Sequence, residues 1–92
     1  MRMIERTTQF KKDYKRELKG YLGKKLDSAL MVVLEYLIAD KPLITKYKDH
    51  PLHGDYSDCR DCHIVPDLVL IYKKIDNEIL QLIRLGSHSE LF

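Results

Sequence analysis

The chain has only two cysteines, no apolar run long enough for a membrane span, and no internal repeat, low-complexity tract or linker. Each scarcity narrows the reading. A bilayer crossing needs roughly 18 to 20 consecutive apolar residues, so no membrane role is expected. The N-terminus carries charges with no apolar segment behind them, so no secretory signal is expected and the default location is the cytoplasm. There Cys59 and Cys62 are expected to stay reduced. They do form a C-x-x-C-H pattern with His63. In a strand, however, residues 59 and 62 point to opposite faces and cannot clasp one haem or one metal. Cys62 and Ile64 are expected to face the core, where cysteine acts as a small hydrophobe.

What is present fits one domain over residues 1–92. The sequence is 45% apolar and 33% charged, as in a soluble globular domain and unlike a disordered tail. The net charge of +2 hides an asymmetry. Residues 1–25 hold nine Lys/Arg against three Asp/Glu, whereas 26–92 hold seven against eleven. A basic first helix suits a phosphate backbone or an acidic protein partner, or is simply a solvated face. All four histidines lie in the acidic part.

Taken in order, Met3 to Thr7 is a short strand candidate, and Thr7 or Thr8 can cap the helix that follows. Phe10, Tyr14, Leu18 and Tyr21 recur at helical spacing, with Lys11, Lys12, Lys15, Arg16 and Lys19 on the other faces. Gly20 and Gly23 mark a bend. A second helix is expected from about Lys24 to Asp40. Leu26, Leu30, Val33 and Leu37 form its stripe, and Ala29, Val32, Leu34 and Ile38 widen it, which implies burial against both a sheet and the first helix. Pro42 cannot continue it. Residues 43–58 are turn-rich, with at most a short strand. Then the period changes. Cys59 to Val65, Leu68 to Lys74 and Glu78 to Ser87 read as strands, with Asp76-Asn77 turning between the last two. In those two strands both parities are apolar, Val69 and Ile71 against Leu70 and Tyr72, and Ile79, Ile83 and Leu85 against Leu80 and Leu82. Such strands lie centrally, covered on one face and partly on the other. The fold class is α+β: a short N-terminal strand, an antiparallel helical hairpin, then a mainly antiparallel meander sheet packed on the helices.

The chemistry gathers around Asp61 to Lys74. Asp61, His63 and Asp67 surround the Pro66 turn, His50 lies in a turn upstream, and His88 ends the last strand. A meander can bring strand ends together, so three imidazoles with Asp61 and Asp67 can share one open face. His53 lacks such a setting and is read as structural. Two imidazoles can serve as base and acid in one reaction, enough to cut RNA without a metal. One takes the 2′-hydroxyl proton and another protonates the leaving 5′-oxygen. Arg84 or Lys48 would offset phosphoryl charge, and Phe92 could stack on a base. The competing reading is a metal site from the same side chains, although no H-x-x-x-H or H-x-H spacing fixes two ligands on one element.

The blocks Tyr47-Lys48-Asp49-His50-Pro51-Leu52-His53-Gly54, Arg60-Asp61-Cys62-His63-Ile64-Val65-Pro66-Asp67, Leu70-Ile71-Tyr72 and Arg84-Leu85-Gly86-Ser87-His88-Ser89-Glu90-Leu91-Phe92 resemble the YafQ-type branch of the RelE/ParE toxin superfamily. The resemblance covers essentially the whole chain. It implies a RelE-like fold and the toxin of a bacterial toxin–antitoxin system. It also implies an mRNA endoribonuclease that cuts message in the ribosomal A site, with no metal or other cofactor. The implied partners are the ribosome and a cognate antitoxin that neutralises the toxin and, with it, binds operator DNA. Carried over, catalytic roles fall on His50, His63, Asp67 and His88, and substrate binding on Lys48, Arg60, Asp61, Arg84 and Phe92. Members of the branch often carry Trp after the aspartate matching Asp67, whereas this chain has Leu68. The alternative within the superfamily is a ParE-like toxin that binds gyrase and needs no histidine cluster.

Overall fold

The strands that read as apolar on both faces form the middle of the sheet. The computed structural model describes all 92 residues. It contains β1 (Met3–Arg6), α1 (Thr8–Leu18), α2 (Lys25–Ile38), β2 (His50–Pro51), β3 (Arg60–Val65), β4 (Leu68–Ile75), β5 (Ile79–Gly86) and α3 (His88–Leu91), with single 3-10 turns at Thr45–Tyr47 and Gly54–Tyr56. The five strands run in the order β1-β5-β4-β3-β2. Strands β2 to β5 pair antiparallel, and β1 joins β5 parallel. The sheet is therefore mixed, with a three-strand meander at its centre. No helix is long and apolar enough to cross a membrane.

Local chemistry sets the helix ends. The Thr7 side chain accepts the Phe10 N–H and caps α1. Gly23, at φ 50°, supplies the left-handed turn between α1 and α2. The two helices lie on one face of the sheet. Phe10, Leu26, Leu30, Val33, Leu34 and Leu37 meet Cys62, Ile64, Leu68, Leu70, Tyr72, Leu80, Leu82 and Leu85 in one core. Each such large side chain contributes about 1.5–3 kcal/mol by leaving water. The stripe is narrower than its residues suggest, because Val32 is exposed. Tyr21 is exposed too and lies beyond the end of α1.

The opposite face is only partly covered. Val69, Ile71 and Leu91 are buried there, beside Leu52, Tyr56, Cys59 and Ile83. Cys59 and Cys62 thus belong to different faces. The expected parity of the last strand needs one correction. The β4–β5 register shifts between Ile71 and Tyr72, pairing Ile71 with Arg84 but Tyr72 with Leu82, so Ile83 is an extra, bulged residue. Beyond it the alternation flips. Leu85 joins Leu80 and Leu82 in the helix-side core, and does not share a face with Ile83.

Strand β1 stops at Arg6, short of the far half of β5. There α1 replaces it. Asp13 Oδ2 accepts the Leu85 N–H at 3.0 Å, and Arg16 Nη2 donates to the Leu85 carbonyl at 2.8 Å. Two side chains thereby satisfy an edge residue that no strand reaches. At the other end, Arg2 bonds Asp40 and the carbonyls of Asp76 and Ile79, fastening the N-terminus to the β4–β5 turn.

Candidate active site

Register places the polar residues. His50 pairs with Asp61, Asp61 with Ile71, and Ile71 with Arg84. These four form one row across β2, β3, β4 and β5, with neighbouring strands about 4.8 Å apart. Residues opposite one another in an antiparallel pair project to the same face, and Ile71 belongs to the face away from α1 and α2. The next row holds His63, Val69 and Gly86. Two residues after Gly86 the chain turns into α3 at His88, fixed by a capping box between Ser87 and Glu90.

Asp61 is the centre of this arrangement. It is 1% exposed. Its Oδ1 lies 3.0 Å from His50 Nδ1 but is left without an aligned hydrogen bond. The angle explains the difference, because His50 Nδ1 is better aimed at the Lys48 carbonyl, 2.7 Å away. Burial pushes the Asp61 carboxyl above its ordinary value, while the charges of His50, His63 and His88 pull it down, and burial prevails. One carboxylate is thus within electrostatic reach of all three imidazoles.

Two of the histidines share a second property. His50 Nδ1 faces the Lys48 carbonyl, and His63 Nδ1 faces the Pro66 carbonyl at 3.3 Å. A carbonyl only accepts, so in both rings Nδ1 carries the proton and Nε2 remains for proton exchange. Lys48 adopts φ 51°, the left-handed turn conformation that directly precedes Asp49 and His50. Asp49 is tied on both sides: the Tyr72 hydroxyl donates to it at 2.5 Å, and Arg60 Nε and Nη2 donate at 3.2 and 3.3 Å.

Other expected residues fall into place differently. Arg60 is engaged with Asp49, and its first role here is to brace the His50 turn. Lys48 is exposed, with no side-chain bond of its own. Asp67 is exposed in the β3–β4 turn and makes no hydrogen bond; the carboxylate among the imidazoles is Asp61. Leu68 is buried in the helix-side core. His53 is exposed at the start of a 3-10 turn. Phe92 is half-exposed, with its ring 4.7 Å from His88 and edge-on to Tyr56 at 6.1 Å.

Arg84 is clamped. Its Nε and Nη2 donate to Asp13 at 2.7 and 3.2 Å, and Tyr56 lies beside its guanidinium. Asp13 is fully buried on α1. Burial pushes its carboxyl upward, but hydrogen bonds from Arg84 and from the Leu85 N–H outweigh this and hold it below the ordinary carboxylate value. Sequence reasoning passed over Asp13, Asp49, Tyr56 and Tyr72. Only the strand register and the fold of α1 over β5 bring them to the site. Arg16, read from the sequence as a surface cation, is consumed by Asp13, Glu17, Glu90 and the Leu85 carbonyl.

The largest cavity lies elsewhere. It measures about 440 Å³ and sits between β1, α1 and α2, lined by Ile4, Phe10, Tyr14, Leu30, Met31 and Leu34 among others. Its lining is mostly apolar, with Arg6 and Asp27 as its two charged residues, and holds no histidine, so it does not compete as a catalytic centre.

Comparison with known proteins gives a consistent answer. The family model described as the bacterial toxin of type II toxin-antitoxin system, YafQ, matches residues 2–92. The mRNA interferase toxin YafQ of Escherichia coli strain K12 is 36% identical over 92 residues, covering 98% of this chain and 99% of that protein. The toxin chain in the crystal structure of the E. coli DinJ-YafQ complex is 40% identical with a TM-score of 0.85, covering 100% and 99% of the two chains. A metal-bound toxin from Helicobacter pylori is 46% identical with a TM-score of 0.85, and both chains are covered completely.

Proposed function

Since the chain belongs to the YafQ family of bacterial type II toxin–antitoxin toxins, we propose that it is an mRNA endoribonuclease that cuts message in the ribosomal A site and so arrests translation. The observation that carries this reading is the buried Asp61 3.0 Å from His50, with His63 and His88 close enough for their charges to act on the same carboxyl. A toxin that acts only by binding has no use for such a group. One imidazole accepts the 2′-hydroxyl proton through its free Nε2. The 2′-oxygen then attacks the adjacent phosphorus, and the bond from phosphorus to the 5′-oxygen breaks. A second imidazole protonates that leaving oxygen, giving a 2′,3′-cyclic phosphate and a 5′-hydroxyl. Asp61 stabilises whichever imidazole is charged at a given moment. Arg84 meets the phosphoryl oxygens, and Phe92 with Tyr56 offers aromatic surface to a base. Lys48 and Asp67 stand at the exposed rim, one near His50 and the other near His63.

The same family reading supplies a partner, a cognate antitoxin that binds operator DNA together with the toxin, as DinJ forms a complex with the E. coli protein. The exposed Lys11, Lys12 and Lys15 on α1 and Lys19 at its end suit acidic antitoxin residues, and the mostly apolar cavity between β1, α1 and α2 suits apolar ones.

The experiment is to map message cleavage after induction in wild type and in His50→Ala, His63→Ala and His88→Ala, with and without EDTA. Wild type cuts within translated codons in both conditions, and each variant stays folded and loses about 100-fold or more in cleavage. Cleavage abolished by EDTA would overturn the metal-free mechanism, a pointed test given the metal-bound relative. Three fully toxic variants, with DNA damage in place of cut message, would replace the reading with a ParE-like binder.

A further inference from the structure

We infer that Asp13, far from the histidines in sequence and on the basic helix, is a positioning residue that presents one edge of Arg84 to the substrate phosphate. The inference rests on the nuclease reading and extends its machinery onto α1. Aspartate is a poor residue for a helix interior, and burying its charge is costly unless it is fully paired. The Leu85 N–H alone would be satisfied by a neutral acceptor such as asparagine. What calls for a carboxylate is the fork of Arg84, bonded through Nε and Nη2.

The two arginines on Asp13 differ in what they have left. Arg16 spends Nη1 on Asp13, Nε on Glu17 and Nη2 on the Leu85 carbonyl. Arg84 spends Nε and Nη2 on the one carboxylate, which leaves Nη1 outside that pairing, with the Tyr56 side chain beside the guanidinium. The bulge at Ile83 places Arg84 in the row of Asp61 and His50. A guanidinium locked along one edge loses little side-chain freedom when its other edge takes up a phosphate oxygen.

The test is a double-mutant cycle on the full chain, using affinity for a short 2′-O-methyl RNA, which cannot be cleaved, alongside cleavage on the ribosome. Arg84→Ala and Asp13→Asn are each expected to weaken RNA binding about tenfold. The double variant should be no weaker than Arg84→Ala alone, whereas Asp13→Asn added to His50→Ala should multiply the two losses. Additive losses for Asp13 and Arg84, or unchanged binding in a folded Asp13→Asn protein, would overturn the inference. A measurement on the wild type covers the case in which Asp13→Asn fails to fold. The Arg84 Nε resonance, assigned with Arg84→Lys, should hold its position as RNA is added. Its release on binding would show that phosphate competes with Asp13, the opposite of positioning. Coupled binding without any cleavage by wild type would remove the nuclease reading and leave this inference standing. No RNA binding by wild type would remove the inference itself.

Discussion

The hydroxyl of Tyr72, a residue 1% exposed in the core, donates to Asp49 Oδ1 at 2.5 Å. The helix-side core therefore reaches through the sheet edge and holds the residue next to His50. The Tyr72→Phe protein keeps its packing and loses this one bond, at a stability cost of about 1 kcal/mol. Arg60 still holds Asp49 from the other side. Cleavage should fall more than the small stability loss explains, because the His50 turn loosens. Thermal melting and cleavage assays on the same preparation check this, and wild-type cleavage would mean that Asp49 does not set His50.

Asp61→Asn should separate stability from activity. Burial raises the folded carboxyl above its ordinary value, so the native state holds this proton more tightly than the unfolded chain. That effect lowers stability as pH rises from the unfolded value through the raised folded one, and the deficit persists at neutral pH. Asparagine carries no such deficit. At pH 7 the variant should unfold at the same or a higher urea concentration, while cleavage drops about 10- to 1,000-fold. A clear loss of stability at pH 7 would show that the three imidazoles more than compensate the buried charge.

Asp13 has the opposite sign. Its folded carboxyl is held below the ordinary value, so its stabilisation is fully present above that value and is lost as pH falls through the lowered one. Asp13→Asn should be less stable than wild type by about 2 kcal/mol at neutral pH. The gap should close as both proteins are taken to strong acid. Denaturation curves between pH 7 and pH 2 measure it, and a gap that widens in acid would contradict the pairing.

Gly86 sits under the Arg16 guanidinium. A Cβ there would lie 2.8 Å from Arg16 Nη2 and 3.3 Å from Leu91 Cδ2. The first atom ends a flexible side chain, but it is tied to the Leu85 carbonyl. Gly86→Ala should therefore cost about 1–2 kcal/mol and tilt α3, moving His88 and Phe92. Loss of cleavage with retained antitoxin binding is the expected outcome, and unchanged cleavage would mean that α3 absorbs the methyl group.

Much of the frame was legible because its signals are local. Pro66 and the Asp76 turn bracket β4, apolar runs on both parities mark it as central, and the alternation of Cys62 and Ile64 with His63 assigns the faces of β3. The approach of His50, His63 and His88 followed from strand ends meeting in a meander. Other parts were hidden for a physical reason. A bulge depends on pairing across two strands, so nothing near Ile83 announces that Leu85 turns inward. Asp13 stands among lysines and looks like a surface residue, because its partners Arg84 and Leu85 are more than seventy positions away. The role of Asp67 came from the family resemblance alone, whereas the burial of Asp61 in register with His50 needed the β2–β3 pairing to be seen.

Strand β5 lies between a partner made at the very start of the chain and one made just before it, with Met3 beside Ile79 and Leu70 beside Leu85. A chain synthesised from its N-terminus holds β1 unpaired until residues 79–82 have appeared, and Arg84, His88 and Phe92 come later still. Such long-range closure is slow. If the proposed centre is the working one, no nascent fragment owns it complete, and the chain becomes a nuclease only once its last strand has docked.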